Sequence, residues 1–502
     1  MKSIKRIIAL LLTAVMTMTM SVTAFAADTN SLTVSVQPGQ DLNGQTISLY
    51  KLFDLTTSKS GKTTNYAYTV NDTYKTTLAT TLGVGAEVQN DALVKKVSDL
   101  SEKEGAVQNF ANNFTAKALT GNLEATQTSG KLTEENKTSY TFNNLAAGYY
   151  LVYVTGSKEI QSSLVTVDGA TKVSLKTEAP SITKKADKET VSIGQVVKYT
   201  VTGSAPDTTG YSDYVYKIHD TLSDGLDFVN DANGTALEAG ATTVNVKVAF
   251  KDATDASTAP TTATLSGTNN RTMALDLSEW VRANQTNKGQ EFTVTYYAKV
   301  NKDAVVTEKN KAQLEYGNKP GDTTITTPSE AKTPTYPLDI NKCVKGNKTS
   351  RLAGAKFKLY KDSADNEENL IKVTGSEGKY VVDPNSKNTV FESVESITGV
   401  DGYNLRVNGL AAGTYYLVET EAPAGYNKLT APIKVVITKT GDDWTISKGD
   451  TKEEDKIIDV ENSTGSILPS TGGMGTIAFA VVAAILVFGV AVSFIRDKKR
   501  EN

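Results

Sequence analysis

Apolar and polar residues alternate with period two in short runs along most of the chain. Ser31-Leu32-Thr33-Val34-Ser35-Val36, Val196-Val197-Lys198-Tyr199-Thr200-Val201 and Glu291-Phe292-Thr293-Val294-Thr295-Tyr296-Tyr297 are three of them. Successive side chains of a strand point to opposite faces, so this pattern predicts half-buried strands. The Gly, Asn and Asp residues between runs predict turns. The fold class that follows is mainly β, built of antiparallel β-sandwiches. One stretch differs. From Tyr74 to Phe114, Ala, Leu, Val and Lys recur at helical spacing, which predicts one or two helices inserted in the first unit.

Both ends depart from the strand pattern. Lys2, Lys5 and Arg6 precede an apolar, small-residue stretch from Ile7 to Met20, and Ala24-Phe25-Ala26 offers a small-x-small cleavage site. This predicts a signal peptide over 1–26. Near the other end, Thr476 to Ile495 holds no charge and is followed by Arg496, Lys498, Lys499 and Arg500. That predicts a transmembrane helix over 476–495 with a basic tail kept in the cytoplasm.

A repeat divides the body. Asn144-Leu145-Ala146-Ala147-Gly148-Tyr149-Tyr150-Leu151-Val152 is echoed by Gly409-Leu410-Ala411-Ala412-Gly413-Thr414-Tyr415-Tyr416-Leu417-Val418. Pro-containing connectors fall at Glu178-Ala179-Pro180 and between Pro328 and Pro337. The expected domains are 27–177, 178–333 and 334–465, with a sorting segment over 466–502. A chain of 502 residues has room for about three domains of ordinary size.

Composition removes several chemistries. The 53 Lys+Arg balance 56 Asp+Glu, so the chain is not a broadly basic nucleic-acid binder. One His, His219, excludes mechanisms needing two imidazoles. One Cys, Cys343, excludes an internal disulfide and a Cys-rich zinc site. There is no GxSxG, HExxH or P-loop, so neither cofactor nor metal is expected, nor an enzyme acting on an external substrate. An exported chain without disulfides needs another staple.

Leu468-Pro469-Ser470-Thr471-Gly472, the apolar segment and the basic tail together resemble the cell-wall sorting signal of Gram-positive surface proteins. The resemblance implies that a sortase cysteine attacks the Thr471 carbonyl, cleaves before Gly472 and passes Thr471 to an amine. The third unit begins Leu338-Asp339-Ile340-Asn341-Lys342 and continues Leu352-Ala353-Gly354-Ala355-Lys356-Phe357-Lys358-Leu359-Tyr360. It then runs Tyr415-Tyr416-Leu417-Val418-Glu419-Thr420 and closes Val460-Glu461-Asn462. It resembles a collagen-adhesin B-type (Cna-B type) domain, an immunoglobulin-like sandwich. In that family the corresponding Lys, Glu and Asn form an internal isopeptide bond, here Lys342, Glu419 and Asn462. Burial lowers a lysine's pKa and makes its amine nucleophilic, and it raises a carboxylic acid's pKa so that the acid can polarise the Asn carboxamide. The first and last strands must be neighbours for Lys and Asn to meet.

The middle unit resembles the isopeptide-forming domain of major backbone pilins. It starts Ser181-Ile182-Thr183-Lys184-Lys185, continues through Lys217-Ile218-His219-Asp220-Thr221-Leu222, and ends Asn310-Lys311-Ala312-Gln313-Leu314-Glu315-Tyr316-Gly317-Asn318. The resemblance carries over Lys184 as amine, Asp220 as acid and Asn310 as acceptor. Lys185 and Asn318 stay open as alternatives, with only one of each pair expected to point into the core. In the first unit, aligning the repeat with one gap sets Tyr153 opposite Glu419, so no internal bond is expected there.

Backbone pilins join head to tail through a lysine that closes the first domain, often within a YPK motif. This chain has Thr171-Lys172-Val173-Ser174-Leu175-Lys176-Thr177 instead. By position Lys176 is the linkage lysine expected, with Lys172 as alternative. The function implied is a shaft subunit of a sortase-assembled surface pilus, covalently attached to the cell wall of a Gram-positive bacterium and supporting adhesion. The partners implied are a pilus sortase and a housekeeping sortase, further copies of the chain, minor pilins, peptidoglycan and, as a candidate, a host surface ligand. A monomeric wall-anchored adhesin, or a minor pilin at tip or base, is the other reading.

Overall fold

The computed structural model describes residues 30–465, except 61, 159, 160, 177, 305, 306, 319, 320 and 365, together with 482–491. The expected signal peptide, the pentapeptide 468–472 and half of the expected span 476–495 lie outside the described residues. Residues 482–491 are helical. Among the described residues no helix is long and apolar enough to cross a membrane.

The fold is mainly β, with tandem sandwiches and few helices. It divides into two compact units. The first takes the chain up to 333 apart from two short segments, 190–194 and one beginning at 302, which belong to the second unit with the chain from 334 onward.

The first sandwich of the first unit opens with Asn30–Val36, set between Ser139–Leu145 (antiparallel) and Ala170–Leu175 (parallel). Facing it is a sheet in the order Thr63–Val70, Thr46–Ser60, Gly148–Thr155, Gln161–Val167, with Gln127–Lys131 also on Thr46–Ser60. The two central strands of that sheet are apolar on both faces. Ile47, Leu49, Val152 and Val154 join Leu32 and Val34 in one core, and Tyr50, Leu52, Leu151 and Tyr153 meet the helices in another. Alternation fails where both faces are covered.

The helical insertion holds three helices, Asp72–Thr81, Asn90–Ser98 and Ala106–Thr120, rather than one or two. Asn71 caps the first, its side chain accepting the Thr73 N–H at 3.0 Å. Breaks fall at Gly83 (φ 69°) and Gly105 (φ 75°), left-handed conformations that glycine adopts without steric cost.

The repeated Leu-Ala-Ala-Gly string has a structural reason. Tyr150 Oη donates to the Ala146 carbonyl (2.7 Å), and Tyr415 Oη donates to the Ala411 carbonyl (2.9 Å). The two copies therefore align without a gap, which sets Val154, not Tyr153, opposite Glu419. Neither residue is an acid, and the described residues between 30 and 176 include no buried lysine or carboxylate.

The second sandwich of the first unit pairs Thr183–Ala186 with Val196–Ser204, followed by Glu291–Val300 and Leu226–Val229. The opposing sheet centres on Thr272–Asp276, Tyr216–Leu222 and Thr307–Gly317. A six-residue helix, Ser278–Ala283, buries Trp280 and Val281 in this sandwich, an element the strand pattern did not announce.

In the second unit Tyr336–Val344 lies between Leu405–Leu410 and Ile457–Asn462. The opposing sheet runs Phe391–Glu392, Lys356–Lys361, Gly413–Glu421, Ile433–Thr440, Asp443–Lys448, Thr451–Glu453.

Candidate functional site

Two lysines are buried among the described residues, Lys184 and Lys342, and each meets a buried carboxyl and a buried asparagine. Lys184 sits on Thr183–Ala186, whose pleat turns it inward and leaves Lys185 exposed. Asp220 and Asn310 come from the opposing sheet. Asp220 pairs with Ala312 and Leu222 with Asn310, so the two are diagonal neighbours on one face. The cluster thus bridges the two sheets. The strand expectation is corrected here: Thr183–Ala186 and Thr307–Gly317 are not neighbours in a sheet, and Ser329–Pro334 rather than the strand of Asn310 comes last.

Lys184 Nζ donates to Asp220 Oδ2 and to Tyr296 Oη. Tyr296 Oη donates to Asp220 Oδ2 at 2.5 Å, and Asn310 Nδ2 donates to Tyr296 Oη at 3.3 Å. The rings of Tyr199 and Tyr296 each lie 4.8 Å from the amine. Burial pushes the Lys184 amine down to about 8, against the pull of Asp220. Burial likewise raises the Asp220 carboxyl above its usual range, opposed by Lys184. Both shifts favour the uncharged pair.

In the second unit Lys342 pairs with Val460 and Val344 with Asn462 on adjacent parallel strands, so here the first and last strands are neighbours. Glu419 comes from the opposing sheet, opposite Phe357. Lys342 Nζ lies 3.2 Å from Glu419 Oε1 and donates to the Val460 carbonyl at 3.3 Å. Asn462 Nδ2 donates to Glu419 Oε2 at 3.0 Å, and that oxygen also accepts the Leu429 N–H at 2.7 Å. Burial lowers the Lys342 amine, with Glu419 opposing.

The clusters share a further trait. In each, the carboxamide oxygen (Asn310 Oδ1, Asn462 Oδ1) is buried without a hydrogen-bond partner, and at the Lys184 cluster so is Asp220 Oδ1. Orphaned buried oxygens are costly in a finished core. A proton on Asp220 Oδ1, whose carboxyl pKa burial raises, would give that oxygen something to donate.

Residues 193–320 match the family model described as Gram-positive pilin backbone subunit 2, Cna-B-like domain. Residues 338–452 match that of the SpaA prealbumin-like fold domain. The chain carries the domains of a Gram-positive backbone pilin. No curated protein matches the pilin over its sequence. Among solved structures it is similar to the T6 backbone pilin of serotype M6 Streptococcus pyogenes (19% identity, 88% of this chain and 100% of that one, TM-score 0.44). It is also similar to the major pilin SpaA of Corynebacterium diphtheriae (17%, 87% and 100%, 0.45) and to the fimbrial protein FimP of Actonomyces oris (17%, 89% and 99%, 0.46).

The remaining residues singled out in the pilin's sequence fall as follows. Asn318 is buried, as is Asn310, so the expectation that only one of them faces inward is corrected. Eight residues apart on an extended chain, they share a face. Asn318 is engaged elsewhere: its Oδ1 accepts from Thr155 Oγ1 (2.7 Å), and its Nδ2 donates to the Gly44 carbonyl and to Thr324 Oγ1. Lys172 and Lys176 are both exposed, Lys176 directly after the strand Ala170–Leu175. Leu468, Pro469, Ser470, Thr471 and Gly472 lie outside the described residues. His219 Nε2 is 2.8 Å from Glu315 Oε2 on a half-exposed face, and Cys343 is buried and free.

Two participants escaped the sequence reading. Tyr296 lies in phase with the buried Phe292 and Val294 on Glu291–Val300, and a hydroxyl in that phase was the available signal. Asn404 accepts the Lys342 N–H at 2.7 Å and donates to the Lys342, Leu352 and Val394 carbonyls, holding the lysine's strand in place. No local motif marks it.

Proposed function

We propose that the chain is the shaft subunit of a surface pilus whose sandwiches cross-link themselves, Lys184 to Asn310 and Lys342 to Asn462. The observation that carries the reading is the matched pair of buried lysine–carboxyl–asparagine clusters, each with an unpartnered carboxamide oxygen. In each, the neutral amine attacks the asparagine Cγ while the acid, Asp220 or Glu419, polarises the carboxamide. The C–Nδ2 bond breaks, and ammonia leaves. The chemistry turns over once and acts on the chain itself, so the protein is a substrate of sortases rather than an enzyme.

Polymerisation in this reading joins Thr471 of one copy to Lys176 of the next through a pilus sortase. A housekeeping sortase attaches the finished polymer to peptidoglycan. The exposure of Lys176 beside the end of a strand suits a residue that must enter another protein's active site. Minor pilins and a host surface ligand complete the proposed partners. Immunoblots of wall extracts test the proposal: a high-molecular-weight ladder is expected, and a single monomer band would refute polymerisation.

A further inference from the structure

The two clusters differ in how the acid reaches the amide. In the second unit, Asn462 Nδ2 donates directly to Glu419 Oε2 at 3.0 Å. In the first unit, the carboxamide nitrogen of Asn310 donates to Tyr296 Oη at 3.3 Å, and Tyr296 Oη donates to Asp220 Oδ2 at 2.5 Å. Aspartate is one methylene shorter than glutamate, and the phenol oxygen spans the difference. Lys184 Nζ donates to the same oxygen. One hydroxyl therefore touches the attacking nitrogen, the departing nitrogen and the acid. Beside Lys342 the aromatic residue is Phe357, its ring 5.9 Å from the amine and without a hydroxyl.

Filling space does not account for Tyr296. Its ring packs near Tyr199 (centroids 5.8 Å) and Phe228 (6.0 Å), and phenylalanine would do the same. A hydroxyl buried at this depth costs stability unless it is bonded, and its hydrogen-bond partners, Lys184, Asp220 and Asn310, all belong to the cluster.

We propose that Tyr296 is a catalytic residue of the Lys184 site, relaying the proton of Asp220 to the departing nitrogen of Asn310. This rests on the cross-linking reading above. The step balances as follows. Lys184 Nζ forms the bond to Asn310 Cγ, and the bond from Cγ to Nδ2 breaks. Tyr296 Oη gives its proton to Nδ2, which leaves as ammonia, as the proton of Asp220 passes to Tyr296 Oη. The proton lost by Nζ passes to Asp220 Oδ2, which Nζ already touches. Tyrosine and aspartic acid end unchanged, and no oxidant or co-reactant is needed. Burial holds the phenol well above its usual pKa, so it stays protonated and able to relay.

The test follows cross-link formation in freshly synthesised chain by mass spectrometry, reading the Lys184–Asn310 peptide against the Lys342–Asn462 peptide as internal control. Tyr296→Phe is expected to slow the first about 100-fold, the low end of general acid–base effects, and to leave the second unchanged. In Asp220→Glu/Tyr296→Phe the longer acid reaches the amide directly, and formation recovers at least ten-fold over Tyr296→Phe. A fluorotyrosine at 296 keeps shape and hydroxyl but acidifies the phenol; a relay shifts the rate–pH profile, whereas a packing role leaves it unmoved. An unslowed Tyr296→Phe, or an unmoved profile with fluorotyrosine, overturns the proposal. A wild-type chain without the Lys184–Asn310 cross-link would refute the underlying reading itself, a result separable from either.

Discussion

Lys342 and Asn462 stand on adjacent parallel strands two positions out of register, so their side chains share one face of the sheet. That offset lets a long amine reach across to a short carboxamide without disturbing the backbone ladder. Lys342→Ala or Asn462→Ala should each raise the mass of the ectodomain by one unreleased ammonia, after allowing for the substitution. Closing a loop of about 120 residues is worth roughly 4–5 kcal/mol on the chain-entropy account, so the second unit's melting transition should fall by many degrees. Calorimetry beside intact mass would decide it; an unchanged transition would mean that no cross-link was lost.

Glu419→Gln keeps the shape of the acid and removes its proton chemistry. The variant should fold, with Lys342 and Asn462 present and unjoined. A mass equal to that of the cross-linked chain would show that the carboxyl is dispensable.

The pH dependence of the Lys184 site follows from its two shifts. The competent pair holds one proton in total, on Asp220 with Lys184 neutral. Above about 8, the value to which burial lowers Lys184, the pair loses that proton and the acid is gone. Below the raised value of Asp220 a second proton binds and the amine is no longer nucleophilic. Cross-linking should therefore follow a bell, with its alkaline limb near 8 and its acid limb above the ordinary aspartate range. Rates of cross-link formation across pH would show it, and a rate still climbing at pH 10 would contradict it.

Asn318→Ala discriminates between the two asparagines of one face. It strips partners from Thr155, Thr324 and the Gly44 carbonyl and should destabilise the first unit by about 2–4 kcal/mol. The Lys184–Asn310 cross-link should still form. Its loss in Asn318→Ala, with folding intact, would reassign the acceptor.

Lys176→Ala should collapse the polymer ladder in wall extracts to monomer while leaving both internal cross-links in place. A ladder that persists would point to Lys172 or to another exposed lysine.

Much of this architecture was legible because period-two alternation survives wherever one face of a strand is covered, as in Glu291–Val300. It fails in Gly148–Thr155, sandwiched between two cores, where the repeat string marked the strand instead. At the site, strand phase separates Lys184 from Lys185, since adjacent residues must face opposite ways. Phase cannot separate Asn310 from Asn318, an even number of residues apart; only the tertiary partners do. Tyr296 was hidden for a related reason: a strand pattern counts a tyrosine as apolar and does not record where its hydroxyl ends.

The parallel pairing of Tyr336–Val344 with Ile457–Asn462 has a consequence for a chain exposed to proteases. Once Lys342 is joined to Asn462, the residues between them form a closed side loop off a short covalent path. A cut at any exposed turn within that loop, such as the one at Gly441, opens the ring without parting the two ends. The same holds between Lys184 and Asn310. A fibre made of such subunits would tolerate nicking across about half of each chain's length and still hold together as one molecule.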